Sequence, residues 1–365
     1  MAANNNPDGR LTFLDWTRGF VVVTMLNGHV FHSFTQPALR NDGPYTLSQF
    51  IGGEGPAVFL LLTGITLAFL LHGRERKGLG AWDRWKAALR RSGYLWLLAL
   101  AFRVQLWAFG FGQSSWKDLF KVDVLNCMGF GIAVMSIMAV FSTAERARLC
   151  AVLGVLIAGA APVVSSMNWT WLPPEVYNYF VPNLNYFGFF PWAAFIAFGI
   201  SFGSILRLTP PDQMNRLMQW SALGGLAIVF AAQFFSNLPN SIYPSADFWL
   251  NSPGLTFIKA GVFLLMVSFA YLWCEYAVGS SFSWVRQLGT TSLIVYWVHI
   301  ELVYGRWFGS WKESLNNWQC ALFVAILIPA MLLLSLARTK LRGVRWSDWF
   351  APYAGLNNAR RVSGD

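Results

Sequence analysis

The sequence predicts an all-α integral membrane protein with about ten transmembrane helices and both termini in the cytoplasm. Three observations carry that expectation. Hydrophobic residues make up 55% of the 365 residues and charged ones 12%, and the mean hydropathy is +0.44. The charged share is about half that of a soluble domain, so the chain cannot cover a globule with polar surface. Soluble, fibrous and disordered classes are excluded. The apolar runs are also unbroken, as in AVFLLLTGITLAFLL (57–71), whereas the strands of an outer-membrane barrel alternate apolar and polar residues. Finally, the basic residues are unevenly partitioned, which fixes an orientation.

The apolar segments lie near 17–35, 52–72, 92–111, 122–142, 149–165, 186–206, 218–236, 254–276, 287–308 and 318–337. Each reaches or approaches the roughly 20 residues that cross roughly 30 Å of hydrocarbon. The first leads into a segment with a single basic residue, and the second ends at His72 ahead of the basic run 73–91. The third leaves that run. The fourth opens on Asp123, and the fifth is short. The sixth and eighth follow the aromatic segments 166–185 and 237–253, and the seventh lies between them. The ninth carries a mid-span histidine, and the tenth ends before a basic tail. Of the 27 Lys and Arg, 20 fall on the side of the amino terminus and four on the other, while Arg103, Lys259 and Arg306 fall within spans. By the positive-inside rule both termini are cytoplasmic, which an even span count requires.

The chain therefore divides into a cytoplasmic segment (1–16), a polytopic membrane domain (17–337) and a basic cytoplasmic tail (338–365). The start MAANNNPDG lacks the basic region of a cleavable signal. The net charge of +10 belongs to cytoplasmic loops, so no nucleic-acid partner is expected. Cys127, Cys150, Cys274 and Cys320 show no paired spacing and read as small membrane residues. No metal, Walker loop, GxGxxG or HExxH pattern is present in the sequence.

Ionisable groups inside a bilayer are costly and call for a function or a partner. The first span carries Arg18 and His29, eleven residues apart. At about 100° per residue they return to within about 20° of one direction, with His29 about 16 Å deeper. Asp15 and His32 flank that line. Such a stripe must face protein or water. It reads either as a structural ion pair with satisfied packing histidines or as the wall of a site. In the ninth span Ser292, Tyr296 and His299 share a face, with Glu301 turned away. That face reads either as an interhelical hydrogen-bond seam or as a second wall. Arg103 needs a carboxylate, with Glu54, Asp123 and Glu301 as candidates. Arg84, Arg90 and Arg91, in the run 73–91, report topology or hold cofactor phosphates. The segments 166–185 and 237–253, rich in aromatics, Asn and Pro, read as an interfacial belt or as a sugar-stacking vestibule.

The stretch LDWTRGFVVVTMLNGH (14–29) resembles the first span of two groups of membrane acyltransferases. One is the heparan-alpha-glucosaminide N-acetyltransferase family. The other is the acyltransferase 3 family, whose Arg–ten residues–His motif is matched by Arg18 and His29. GPAVFLLLTGITLAF (55–69), VDVLNCMGFGIAV (122–134), FPWAAFIAFGISFG (190–203) and LGTTSLIVYWVHIELVYG (288–305) resemble successive spans of the first group, in order. In the human-type enzymes the essential histidine lies after the first span, and an Asn stands at the place of His29. Here 36–50 has no histidine, so the resemblance implies that the role falls to His29 or His32.

The resemblance implies a membrane acyltransferase, most simply an acetyltransferase, that moves an acyl group from cytoplasmic acetyl-CoA or another acyl-CoA to an amine or hydroxyl of a saccharide. Catalytic candidates are His29, His32, His299 and Tyr296. His29 would act as general base, or as acyl carrier in a variant mechanism, since an imidazole titrates near neutrality. His299 or Tyr296 would donate to the oxyanion. Arg18, Arg84, Arg90 and Arg91 are the cofactor-binding candidates. The expected partners are the bilayer of a bacterial inner membrane and the two substrates, and a homodimer is compatible. The rival function is a secondary transporter for a sugar-linked or small-molecule substrate, which intramembrane His, Arg and Glu would also suit.

Overall fold

A computed structural model describes residues 11–110, 115–244, 246–279 and 281–341. The first ten residues and most of the expected tail lie outside the described residues. Thirteen α-helices, joined in places by short 3-10 or π-helical turns, form the described chain, and the described residues contain no strand. They are α1 (Thr12–Phe34), α2 (Gly43–Gly52), α3 (Gly55–Arg76), α4 (Ala81–Ala108), α5 (Val124–Met135), α6 (Thr143–Ser166), α7 (Pro174–Tyr177), α8 (Phe189–Leu208), α9 (Met214–Ser236), α10 (Pro253–Leu272), α11 (Trp284–Thr290), α12 (Ser292–Tyr304) and α13 (Asn317–Leu341). Among the described residues, six helical stretches are long and apolar enough to cross a membrane: Gly43–Arg76, Thr143–Ser166, Phe189–Leu208, Pro211–Ser236, Pro253–Val278 and Asn317–Leu341. The stretches Val124–Val140 and Ser292–Tyr304 are apolar but shorter. Helices α1 and α4 have the length, but their charged and hydroxyl residues lower their hydropathy.

Apolar composition forms these helices because a chain without surrounding water must pair its own backbone groups. Polar residues set their ends. Asp123 does not lie inside a span but caps α5. Its Oδ1 accepts from the N–H of Leu125 at 2.9 Å and of Asn126 at 3.1 Å, while Asn126 Oδ1 accepts from the Asp123 N–H at 3.2 Å. Ser142 and Glu145 form the same reciprocal box on α6. The segment after α1 is not an open loop: α2 occupies it and runs almost directly into α3.

Glycines let the central helices touch backbone to backbone. A Cβ on Gly19 of α1 would collide with the Val285 carbonyl of α11, and one on Gly289 would collide with the carbonyl of Asp15. In lipid, such close approach supplies the packing energy that hydrophobic burial cannot. The ninth apolar segment was expected as one helix over 287–308. It breaks at Thr291 (φ −121, ψ 20), giving α11 and α12. Gly289 is committed to α1, and the Thr291 hydroxyl pairs with Ser335 Oγ of α13 at 2.5 Å. Arg306, expected within that span, lies past the end of α12.

The bundle has two ends of different chemistry. At the basic end, Glu75 of α3 holds Arg146 of α6 at 2.5 Å and Arg84 of α4 at 3.5 Å. At the opposite, aromatic end, Arg103 of α4 meets Asp123 at 3.2 Å. There too Ser33 of α1 donates to the Val303 carbonyl of α12 at 2.8 Å, and Tyr243 donates to the Gly159 carbonyl at 2.9 Å. The four cysteines are free and buried.

Candidate functional site

Helix α1 lies along α12, and the two polar stripes face each other. Arg18 of α1 lines a cavity with Ser292 and Tyr296 of α12. Deeper along the same seam, His29 Nδ1 sits 3.0 Å from His299 Nε2. The ring centroids are 5.2 Å apart with 15° between the planes. That distance is two ring radii plus the N–N separation, so the rings lie edge to edge in nearly one plane, as an N–H···N bond requires.

The protons on this pair follow from what lies behind it. His299 Nδ1 is 2.8 Å from the Val295 carbonyl. A carbonyl only accepts, so a neutral His299 carries its proton on Nδ1 and presents a bare Nε2. His29 must then donate from Nδ1, and the lone pair of a neutral His29 is on Nε2. One backbone carbonyl thus fixes both tautomers. His299 is fully buried at 0% exposure, so no water competes for that carbonyl.

Two tyrosines connect the pair to opposite ends of the bundle. The Tyr296 ring is 5.7 Å from that of His299, and Tyr304 is 5.3 Å from His29. The Tyr304 hydroxyl also meets His32 Nδ1 at 3.2 Å, so His32, an exposed residue, sits toward the aromatic end.

On the Tyr296 side is a cavity of about 380 Å³ between α1, α3, α4, α5 and α12. Arg18, Arg91, Tyr94 and Tyr296 line it, together with Thr63, Thr66 and an apolar wall. A neighbouring cavity of about 340 Å³ shares Arg18, Tyr94 and Ser292 and adds Arg338 of α13. Three arginines therefore converge at the basic end, beside a mainly apolar channel. Arg18 also pairs with Asp15 at 3.2 Å. Of the other basic candidates, Arg84 is bound to Glu75, and neither Arg84 nor Arg90 lines these cavities.

On the Tyr304 side a polar cavity of about 320 Å³ is lined by Arg103, Trp107, Asp118, Lys121, Glu301 and Arg306. Of the three carboxylates considered for Arg103, Asp123 is the partner. Glu54 pairs instead with Lys259 at 3.8 Å. Glu301 accepts from Trp307 Nε1 at 3.2 Å and from Gln105 Nε2 at 3.5 Å. Outside the spans, the Lys121 ammonium bonded to Asp118 holds that carboxyl below its ordinary value. Among the described residues, no three His, Cys, Asp or Glu side chains converge as a metal site would require.

Tyr94, Tyr304 and Arg338 escaped the sequence reading. Tyr94 lies three residues after Arg91, so the helical period offered it. Arg338 was assigned to the tail and Tyr304 to the end of a span, and nothing local marks either.

Residues 10–243 match the family model described as heparan-alpha-glucosaminide N-acetyltransferase, catalytic. No curated protein matches the chain. The matched region holds α1 with Arg18 and His29, the basic residues of α4 and the cap of α5, while Tyr296, His299 and Tyr304 lie beyond it.

Proposed function

Because the chain belongs to the heparan-alpha-glucosaminide N-acetyltransferase family, we propose that it is a membrane acyltransferase of the inner membrane. It takes an acetyl or other acyl group from acyl-CoA at the basic, cytoplasmic end and gives it to an amine or hydroxyl of a saccharide at the aromatic, non-cytoplasmic end. Ten helices cross the bilayer in this reading, α1, α4 and α5 with α11–α12 completing the six longer apolar ones, and both termini are cytoplasmic. The observation that carries the proposal is the tautomer-fixed His29–His299 pair, flanked by Tyr296 from a basic cavity and Tyr304 from a polar one.

Acyl-CoA would supply the acyl group as a thioester, a soft electrophile needing no metal. The residues at the basic end suit it: Arg18, Arg91 and Arg338 offer planar guanidinium forks to phosphates. The apolar channel beyond them suits an uncharged arm. His29 acts as general base at Nε2. The acceptor's N–H or O–H proton passes to that nitrogen as the acceptor's lone pair attacks the acyl carbon, and the proton then goes to the departing thiolate. His299 keeps the His29 lone pair on Nε2, a positioning role. Both His299 nitrogens are engaged, so the oxyanion donor is the Tyr296 hydroxyl. His32, beside Tyr304, contacts the acceptor.

The test is mass spectrometry of amino sugars and neutral saccharides incubated with the purified protein and acetyl-CoA. Donor-dependent gain of an acetyl mass supports the reading. Its absence across acceptors, with uptake of the same sugars into proteoliposomes, would identify a transporter.

A further inference from the structure

A cavity of about 410 Å³, larger than those beside the histidines, opens at the aromatic end between α2 and the amino-terminal turns of α8 and α10. Five aromatic side chains wall it: Tyr45, Phe50, Trp192, Phe195 and Trp249. Two charged side chains from different helices reach it, Glu54 at the start of α3 and Lys259 of α10. Neither histidine of the pair lines it. Two of its lining residues reach that region: Gln49 donates to the Gly28 carbonyl at 2.9 Å, and Tyr45 packs against the buried cluster of α1 and α12.

The polar groups are incompletely matched. Lys259 Nζ donates to the Gly53 carbonyl at 2.5 Å and lies 3.8 Å from Glu54 Oε1. Glu54 Oε2 is buried without a hydrogen-bond partner. A buried carboxylate oxygen left unpaired costs free energy until something donates to it. An ammonium has three donors, and Lys259 spends one on Gly53. The pair is neutral overall, so it does not select an ion. What it offers is an acceptor beside a donor, the complement of two neighbouring hydroxyls on one ring. The aromatic walls offer flat surfaces to the C–H faces of such a ring.

We propose that this cavity is a second saccharide-binding subsite, separate from the His29 centre. It takes one pyranose ring, with a diol bridging Glu54 Oε2 and Lys259 and the ring seated against Trp192 and Trp249. The subsite shares the substrate class of the proposed function but needs none of its chemistry, so it can be tested without a donor.

The full chain is placed in phospholipid nanodiscs, which avoids glycoside detergents, and cellobiose and chitobiose are followed by saturation-transfer NMR. Wild type should bind at least one of them. Trp249→Ala, at a side chain 66% exposed, leaves the fold undisturbed and should weaken binding about tenfold, as should Glu54→Gln. His29→Ala should bind like wild type, which separates this site from the catalytic reading. Absence of binding to wild type overturns the proposal. So does an affinity left at the wild-type value by both cavity substitutions, or a phospholipid co-purifying with wild type and lost from both variants with no sugar effect.

Discussion

Replacing His29 tests the proposed chemistry most directly. A positioned general base is worth about 10²–10⁴-fold in rate, or about 2.7–5.4 kcal/mol at about 1.36 kcal/mol per decade. His29→Ala should lose at least that factor in acetyl transfer. His29→Gln keeps much of the shape and can still donate toward His299, but its amide nitrogen has no basic lone pair, so it should be nearly as inactive. His299 acts only through the tautomer of His29. One net hydrogen bond of about 0.5–1.5 kcal/mol biases that equilibrium by roughly two- to twelvefold. His299→Ala should therefore lose about tenfold or less, and its pH–rate profile should change shape. His299→Gln restores an acceptor for His29 Nδ1–H and should recover part of the loss. The double variant should be no worse than His29→Ala, because a group removed once cannot be removed again. The assay is initial-rate acetyl transfer by mass spectrometry, with acetyl-CoA-dependent thermal stabilisation as the control for folding and donor binding. Near-normal activity in His29→Ala would refute the assignment. If His32→Ala is inactive instead, the base is His32. Multiplicative losses in the double variant would dissolve the pair as a unit.

Three further outcomes follow from named contacts. In intact cells, a cysteine at Asn168 should react with an impermeant maleimide and one at Lys77 should not; the four native cysteines are buried, which keeps the background low, and the reverse pattern would invert the proposed orientation. Arg91→Gln should raise the donor KM by roughly three- to tenfold, within the range of a lost charge-assisted hydrogen bond that is partly solvated, while Arg90→Gln, outside the cavities, should leave it unchanged; equal effects would reduce both residues to topology signals. Burial pushes the Lys312 ammonium, in the segment before α13, down to about 8. The unfolded chain keeps its proton to about 10.4 and so binds more protons between those values, which makes stability rise with pH across that window and stay flat below it. Lys312→Met should abolish that rise, and parallel melting curves for the two proteins from pH 7 to 10 would contradict it.

What the sequence determined by itself is the set of properties that depend on near neighbours. Unbroken apolar runs specify helices because a bilayer leaves the backbone no other partner. Arg18 and His29, and likewise Ser292, Tyr296 and His299, share faces because the helical period repeats over eleven and seven residues. Family membership was legible for the same reason, since its motifs are short and ordered along the chain. The tertiary structure alone decided which stripe meets which. His29 and His299 are 270 residues apart, and no local rule pairs them. Their contact depends on Gly19 and Gly289 admitting α1 against α11. The choice of Asp123 over Glu54 and Glu301 for Arg103 depends on α5 starting beside the end of α4. The break at Thr291 depends on Ser335 of α13. Tyr94, Tyr304 and Arg338 acquire their places only when separate helices close around a cavity. Helical period is a local property of the backbone, whereas a site between helices is made by packing, and packing is settled by all of them at once.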